Sequence, residues 1–286
     1  MAWAEPKFSK DEIIQAGAIL VSQESSIEER NHAREVLDNW RAAHSYPMHV
    51  FKIRLKDCAD RTDKNSLSVQ RLKRVPAILH KLTRTYPNRS DKINLYEMQD
   101  IAGCRTVLSN VSLARELFQK YYLKGDLKHK RIRVNDYVSN PKNDGYRSYH
   151  IIYSYFSDKE KKKKYDGLFI EVQIRSKLQH LWATAIETVD FFTRQAIKSN
   201  EGEKDWKEFF RLLSSAFAKI ENCPTIQNTP TDEKELYLQI KKKETELNVI
   251  KKMQGWADGI RVFTHAKKTK PKLVYFLLEL NINSEN

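Results

Sequence analysis

The segment LFIEVQIR, residues 168–175, constrains the fold of this chain most, because apolar and polar residues alternate from Ile170 to Arg175. Successive side chains of a β-strand point to opposite faces, so the segment predicts a strand with one aliphatic and one polar face. The aliphatic face carries Ile170, Val172 and Ile174, and the polar face carries Glu171, Gln173 and Arg175. Such a strand either lines a cleft with its polar face or presents that face to solvent at a sheet edge.

Strand and helix patterns follow one another from residue 100 onward, which indicates a mixed α/β region. The predicted strands are 100–108, 130–138, 148–156 and 168–175, and the predicted helices are 111–123, 176–192 (capped by Ser176) and 204–220. A further strand pattern at 271–280 would pair with this sheet or open a separate β-rich element.

Helical patterns also flank this region on both sides. Ser9 and Glu12 form a capping box for a first helix, a second follows at 25–44, and a third is predicted at 48–60 after a break at Pro47. The apolar stripe of the second helix is Ile27, Ala33, Val36, Leu37 and Trp40. One long charged helix is predicted at 231–256, after a linker at 222–232.

The charge of the chain indicates a polyanionic partner. It has 51 basic and 37 acidic side chains, a formal net charge of +14, so nucleic acid or nucleotide phosphates are expected, with plain solubility as the alternative. Three scattered cysteines show no CxxC spacing, which argues against a zinc site or a disulfide framework. The N-terminal residues lack the apolar core of a signal peptide, and we expect a cytoplasmic protein. Neither GxxxxGK[ST] nor GxGxxG occurs.

Two carboxylates are candidate magnesium ligands. Asp100 stands at the mouth of a predicted strand, where the ordinary alternative is a cap or turn residue, and Glu171 lies on the polar face of residues 168–175. Mg²⁺ commonly takes one or two carboxylates together with substrate phosphates. Arg105 has the opposite strand parity to Asp100, so either the strand is bulged or Arg105 serves another face.

A basic segment precedes and continues into a helix that begins near Pro76. Arg71, Lys73 and Arg74 stand before the helix N-terminus, where free N–H groups favour an anion. Arg74, Ala77, Lys81 and Arg84 recur at helical spacing and form one basic stripe. A solvated helix face is the alternative interpretation.

These motifs, taken together, resemble the synthetase domain of RelA/SpoT-type alarmone enzymes over roughly residues 45–195. RLKRVPAILHK resembles the ATP-binding segment, DIAGCR the strand with the metal-binding aspartate, DYVSNPKNDGYRSYH the acceptor-nucleotide loop, and EVQIRSKLQHLWA the strand and helix with the second acidic residue. The order and spacing of all four are those of the family. Pro76 and Ala77 depart from its commoner helix sequence.

The resemblance implies a nucleotidyltransferase-like mixed sheet flanked by helices, in an α/β (α+β) fold with helical N- and C-terminal extensions. It implies transfer of the β,γ-diphosphate of ATP to a ribose 3′-hydroxyl, with release of AMP. Asp100 and Glu171 would hold Mg²⁺, and Glu171 is also a candidate general base. The residues expected to bind ATP are Arg71, Lys73, Arg74, Lys81, Arg105 and Arg175; those expected to bind the acceptor are Lys142, Tyr146, His150 and Gln173. Tyr146 would stack on the acceptor base.

The acceptor is expected to be the 3′-CCA end of tRNA, with GDP or GTP as the alternative. Two features favour tRNA: the basic segment with Lys128, Lys130, Arg131 and Arg133, and KEKKKK at 159–164, which suggests a basic hairpin. Solvated lysine loops are the alternative interpretation of both. A non-catalytic RNA-binding module belongs to another class, and the retained carboxylates argue against it. A protein scaffold is suggested by 231–256 alone.

The segment DNWRAAHSYP resembles CapRel-type toxins, which implies a translation-inhibiting toxin of a toxin–antitoxin or phage-defence system. The expected partners are tRNA or a guanosine nucleotide and an antitoxin, separate or fused at the C-terminus, with neither membrane nor DNA. The predicted domains are a helical extension at 1–44, the synthetase domain at 45–222 and a C-terminal region at 223–286. The synthetase is expected to lack a hydrolase domain.

Overall fold

The computed structural model describes residues 3–84, 92–193 and 203–267, of which 260–267 are described by their backbone alone. The helices are α1 Lys10–Val21, α2 Ile27–Ala43, α3 Ser45–Thr62, α4 Val75–Thr83, α5 Val111–Leu117, α6 Lys177–Thr193, α7 Lys204–Ile220, α8 Glu233–Leu247 and α9 Val249–Lys267. The strands are β1 Leu67–Leu72, β2 Ala102–Leu108, β3 Lys130–Asp136, β4 Tyr149–Ser154 and β5 Phe169–Ser176. A π-helical turn covers Phe118–Leu123, and a 3₁₀ helix covers Glu160–Tyr165.

The chain divides into two compact units. The first comprises Met1–Val138 and Arg147–Lys177, and the second comprises Ser139–Tyr146 and Leu178–Asn286. The boundaries of these units differ from those of the predicted domains at 1–44, 45–222 and 223–286. The predicted domains remain a prediction.

A five-stranded sheet in the order β1-β2-β5-β4-β3 forms the centre of the first unit. The β2–β5 pair is parallel and the other pairs are antiparallel, so the mixed sheet that was predicted is confirmed. Helices α3 and α5 pack on the central strands. Ile170, Val172 and Ile174 are completely buried, which confirms the aliphatic face of β5.

Strand β1 was not predicted, because its sequence LSVQRL leaves most side chains exposed and shows no buried face. It pairs antiparallel with β2, with Arg71 opposite Gly103. Backbone pairing along one edge of β2, rather than burial of its own side chains, therefore makes this segment a strand. The prediction that 159–164 forms a basic hairpin is wrong, since these residues enter the 3₁₀ helix and Lys162 Nζ lies 4.2 Å from the centre of the Tyr46 ring.

The N-terminal helices follow the predicted pattern with two corrections. The capping box of Ser9 and Glu12 is present. Ile27, however, is 74% exposed, because it occupies the first turn of α2 ahead of the buried stripe. Helix α3 begins at Ser45 rather than at 48 and includes Pro47 in its first turn, where the missing N–H of proline breaks no intrahelical hydrogen bond.

The second unit has a core of aromatic and aliphatic residues from four helices. Its buried members include Trp182, Ile186, Trp206, Phe210 and Met253. The single helix predicted at 231–256 is wrong, because Asn248 adopts a left-handed conformation (φ 52°) that ends α8 before α9 begins. The loop at 222–232 joins α7 to α8 within this unit.

The strand predicted at 271–280 lies outside the described residues. Across the parts of the chain that are described, none of the helices combines the length and the hydropathy that a membrane span requires.

Candidate active site

A cleft of about 440 Å³, partly open to solvent, lies in the first unit along β1, β2 and β5. The lining residues that were predicted as site residues are Arg71, Lys73, Asp100, Arg105, Glu171 and Gln173. Residues that the sequence analysis did not single out also line it: Val69, Gln70, Gly103 and Cys104. Both predicted carboxylates thus face one cavity.

Asp100 is held between two lysines. Its Oδ2 accepts a hydrogen bond from Lys73 Nζ at 2.8 Å, and its Oδ1 accepts one from Lys81 Nζ at 2.7 Å. Burial by itself raises the pKa of Asp100, but the charges and hydrogen bonds of Lys81 and Lys73 prevail and lower it. Asp100 lies in the turn before β2, so strand parity does not apply to it, and Arg105 lines the same cleft.

Glu171 is paired with the imidazole of His150. The distance from His150 Nδ1 to Glu171 Oε1 is 2.8 Å, and Gln173 Nε2 donates to Glu171 Oε2 at 2.7 Å. Burial raises the pKa of Glu171, yet the hydrogen bond and charge of His150, the amide of Gln173 and the charge of Lys81 together lower it to about 2. Glu171 is therefore ionised at neutral pH.

Gln173 connects this carboxylate to two arginines. Its Oε1 accepts from Arg105 Nε at 2.9 Å and from Arg175 Nη2 at 3.2 Å. Arg175 is only 3% exposed, so the polar face of β5 is a buried hydrogen-bonded row and not a solvated edge. Gln173 and His150 were predicted to bind the acceptor. In the structure both form hydrogen bonds with Glu171, the predicted metal ligand.

The basic segment at 71–84 is divided between two places. Arg71 lies on β1 and lines the cleft, and Lys81 on α4 points to Asp100. Arg74 is the N-cap residue of α4 and Arg84 its C-cap residue, and neither is among the described residues that line the cleft. Of the predicted basic stripe, Lys81 therefore pairs with Asp100, whereas Arg74 and Arg84 are exposed.

The donor set fits a magnesium ion that arrives with phosphates. Among the described residues, His, Cys, Asp and Glu side chains form no group of three that would hold a metal unaided. The cleft offers two carboxylates, which is the number that Mg²⁺ uses when phosphate oxygens and water complete its octahedron.

A tight turn in the second unit carries Lys142 and Tyr146, and we call residues 142–146 the acceptor turn. Gly145 N donates to Lys142 O at 2.9 Å, and Gly145 adopts φ +98°. Lys142 Nζ lies 5.4 Å from the centre of the Tyr146 ring. The ring meets Trp182 edge-on, with centroids 6.4 Å apart, beside a small pocket that Phe210 and Lys207 also line.

Replacing Gly145 by alanine is expected to destabilise the protein by about 2–4 kcal/mol. An added Cβ would lie 2.8 Å from Trp182 Cζ2 and 3.0 Å from Ser214 Cβ, in addition to the strain of the positive φ. Thermal unfolding measures the change. Gly167→Ala is the matched control, because Gly167 has φ +88° but nothing within 4 Å of an added Cβ, so equal losses in the two variants would contradict the predicted clash.

The residues predicted to bind RNA lie on and near the edge strand β3. Lys130, Arg131 and Arg133 are exposed, and Arg131 Nη1 donates to the carbonyls of Tyr122 and Leu123 at 2.6 and 3.1 Å. Lys128 Nζ is 3.0 Å from Asp158 Oδ2 in an exposed pair. These side chains form a basic strand edge, with Arg131 also anchoring the preceding turn.

Part of the chain, including most of the residues that line this cleft, is similar to known proteins. Residues 70–191 match the family model "Region found in RelA / SpoT proteins". The chain is 30% identical to the GTP pyrophosphokinase YjbM of Bacillus subtilis over 124 residues, 42% of this chain and 54% of YjbM. It is 30% identical to the GTP pyrophosphokinase YwaC of the same organism over 114 residues, 40% of this chain and 52% of YwaC.

Solved structures show the same fold. Small alarmone synthetase 1 of B. subtilis bound to its product pppGpp superposes with a TM-score of 0.50 at 22% identity, covering 62% of this chain and 88% of that one. Small alarmone synthetase 2 of the same organism gives a TM-score of 0.50 at 20% identity, covering 66% and 94%. The chain spans about half the length of the curated relatives it matches. It therefore carries a RelA/SpoT-type region at 70–191 within an α+β fold of the small alarmone synthetase kind.

Proposed function

We propose that this chain is an ATP-dependent pyrophosphokinase that transfers the β,γ-diphosphate of ATP to a ribose 3′-hydroxyl and releases AMP. The observation that carries the proposal is that Asp100 and Glu171 line one cleft together with Arg71, Lys73 and Arg105, inside the region that matches the RelA/SpoT family. The relatives YjbM and YwaC are named GTP pyrophosphokinases, which supports this class of reaction.

The cations of the cleft are suited to hold a transferring diphosphate. Phosphoryl-transfer catalysis consists mostly of positioning and of electrostatic stabilisation, because the protein forms few covalent bonds. Arg71, Lys73, Lys81 and Arg105 would bind the phosphate oxygens of ATP. Mg²⁺, held by Asp100 and Glu171, would neutralise further charge on those oxygens.

Glu171 fits the role of a metal ligand better than that of a general base. An efficient general base has a pKa near the operating pH, whereas His150, Gln173 and Lys81 keep the pKa of Glu171 at about 2. A low pKa keeps a carboxylate ionised and available to a cation. We therefore assign Glu171 to Mg²⁺ and to the orientation of His150.

We further propose the 3′-CCA end of tRNA as the acceptor, in a toxin of the CapRel-like kind that a separate or fused antitoxin restrains. Lys130, Arg131 and Arg133 are exposed on the edge strand β3, and several exposed cations on one strand suit a polyanion longer than a mononucleotide. GDP or GTP is the second candidate, and the names of the relatives support it.

Transfer of labelled diphosphate tests both the proposed reaction and the proposed acceptor. The protein is incubated with Mg²⁺ and γ-labelled ATP, together with GDP, GTP, deacylated tRNA, or tRNA whose terminal ribose has been oxidised by periodate. Label in deacylated tRNA but not in oxidised tRNA is expected. Label in GDP or GTP alone would replace tRNA by the guanosine nucleotide, and label in none of them would overturn the pyrophosphokinase proposal.

A further inference from the structure

We propose that Arg211 and Ser214 of α7 are positioning residues that hold the acceptor turn, and with it the ring of Tyr146, in the arrangement that receives the acceptor nucleoside. This inference rests on the proposed function. It assigns a positioning role to helix α7, Lys204–Ile220, which lies outside residues 70–191 that match the RelA/SpoT family model.

Ser214 fixes the backbone of the acceptor turn at its glycine. Ser214 is 2% exposed, and its Oγ donates a hydrogen bond of 2.6 Å to Gly145 O. The turn lies so close to α7 that a Cβ on Gly145 would be 3.3 Å from Phe210 O. The buried hydroxyl of Ser214 therefore joins the helix to the turn at a point where the two backbones lie close together.

Arg211 fixes the same turn from its exposed side. Its Nε donates to Asn143 O at 3.1 Å, and its Nη2 donates to Gln227 O at 3.0 Å in the loop at 222–232. Its Nη1 donates to Glu208 Oε2 at 2.6 Å, which orients the guanidinium along the helix. The planar fork of arginine can bond two carbonyls and a carboxylate at once, whereas a lysine ammonium is a single point on a flexible stem.

The internal hydrogen bonds of the acceptor turn determine its shape but not its place. Tyr146 N donates to Asp144 Oδ1 at 2.9 Å, and Lys142 N donates to Tyr146 O at 3.2 Å. A turn that is not held from outside moves as a unit, and ordering it on binding then costs conformational entropy. Ser214 and Arg211 fix the position of the acceptor turn before the acceptor binds, so their loss is expected to weaken acceptor binding.

Kinetics and hydrogen exchange test the proposal on the full chain. Arg211→Met and Ser214→Ala are each expected to raise the KM for the acceptor (GTP or deacylated tRNA, whichever takes up label) by about tenfold. The KM for ATP should stay within twofold, because Arg71, Lys73 and Arg105, three of the predicted ATP residues, line the cleft of the first unit. Arg211→Lys, which keeps the charge but not the fork, should fall between. The amides of residues 143–146 should exchange faster in all three variants.

Lys219→Met is the matched control. Lys219 lies on the same helix and donates to Thr231 O at 2.6 Å in the 222–232 loop, so its loss removes a charge and a loop contact without touching the acceptor turn. It should leave both KM values and the exchange of residues 143–146 unchanged.

Three results would contradict the inference or the function on which it rests. Unchanged exchange at 143–146 in the Arg211 and Ser214 variants would mean that α7 does not hold the turn. Faster exchange with an unchanged acceptor KM would mean that the hold does not serve acceptor binding. A wild-type protein that transfers no diphosphate would refute the proposed function, and the exchange measurement would then decide the contacts of α7 alone.

Discussion

Replacing Glu171 by glutamine is expected to reduce diphosphate transfer by about a thousandfold or more while the protein remains folded. Glutamine has the shape of glutamate but no charge, so the cleft keeps its packing and loses one of its two carboxylates. Glu171 lies between His150 Nδ1 at 2.8 Å and Gln173 Nε2 at 2.7 Å, and both contacts are hydrogen bonds to an ionised oxygen. Loss of that ionised group would remove one of the two proposed metal ligands and weaken the hydrogen bonds to His150 and Gln173.

The measurement is transfer of label from γ-labelled ATP, accompanied by thermal unfolding. Glu116→Gln is a suitable control, because Glu116 is exposed on α5 and the substitution removes the same charge away from the cleft. It should retain wild-type transfer. If Glu171→Gln transferred diphosphate at a near-normal rate, the cleft along β1, β2 and β5 would not be the active site.

The fold could be predicted from the sequence wherever local pattern and tertiary packing agree. The alternation in β5 and the capping box of α1 each express one local rule, and the structure has both. β1 could not be predicted, since what makes LSVQRL a strand is its pairing with β2, some thirty residues later in the chain. The break at Asn248 could not be predicted either, because a helical pattern runs on both sides of it.

In the candidate site, too, the residue types could be predicted from the sequence but the contacts between distant residues could not. The types of residue that bind phosphate and magnesium stand out in the sequence, and Asp100, Glu171, Arg71 and Arg105 do line one cleft. What the sequence could not indicate is the pairing within the cleft, since the contact of Lys81 with Asp100 joins residues of α4 and of the turn before β2. Periodicity shows which face a side chain occupies, but not which neighbour it meets across a turn.

Asp100→Asn is expected to strengthen the binding of metal-free ATP and to slow diphosphate transfer. Together the two effects would distinguish a metal-binding Asp100 from one that only forms ion pairs with lysines. Asp100 binds the ammonium groups of both Lys73 and Lys81, at 2.8 and 2.7 Å, and all three side chains are about four-fifths buried. Asparagine would free both lysines for phosphate oxygens. Metal-free ATP should therefore bind more tightly, by about fivefold, since each freed lysine contributes roughly 0.5 kcal/mol to phosphate binding.

Diphosphate transfer should nevertheless fall by about a thousandfold, because the variant lacks one of the two carboxylates that would hold Mg²⁺. Calorimetric titration with an α,β-methylene analogue of ATP, in EDTA and then in Mg²⁺, measures the first effect, and label transfer measures the second. Asp57→Asn removes an exposed carboxylate on α3 that pairs with Arg61, and it should change neither quantity. Weaker binding of the metal-free analogue to Asp100→Asn would show that Asp100 arranges the two lysines for ATP. Tighter binding combined with lost transfer requires instead that the carboxylate itself act on the bound, metal-loaded phosphates.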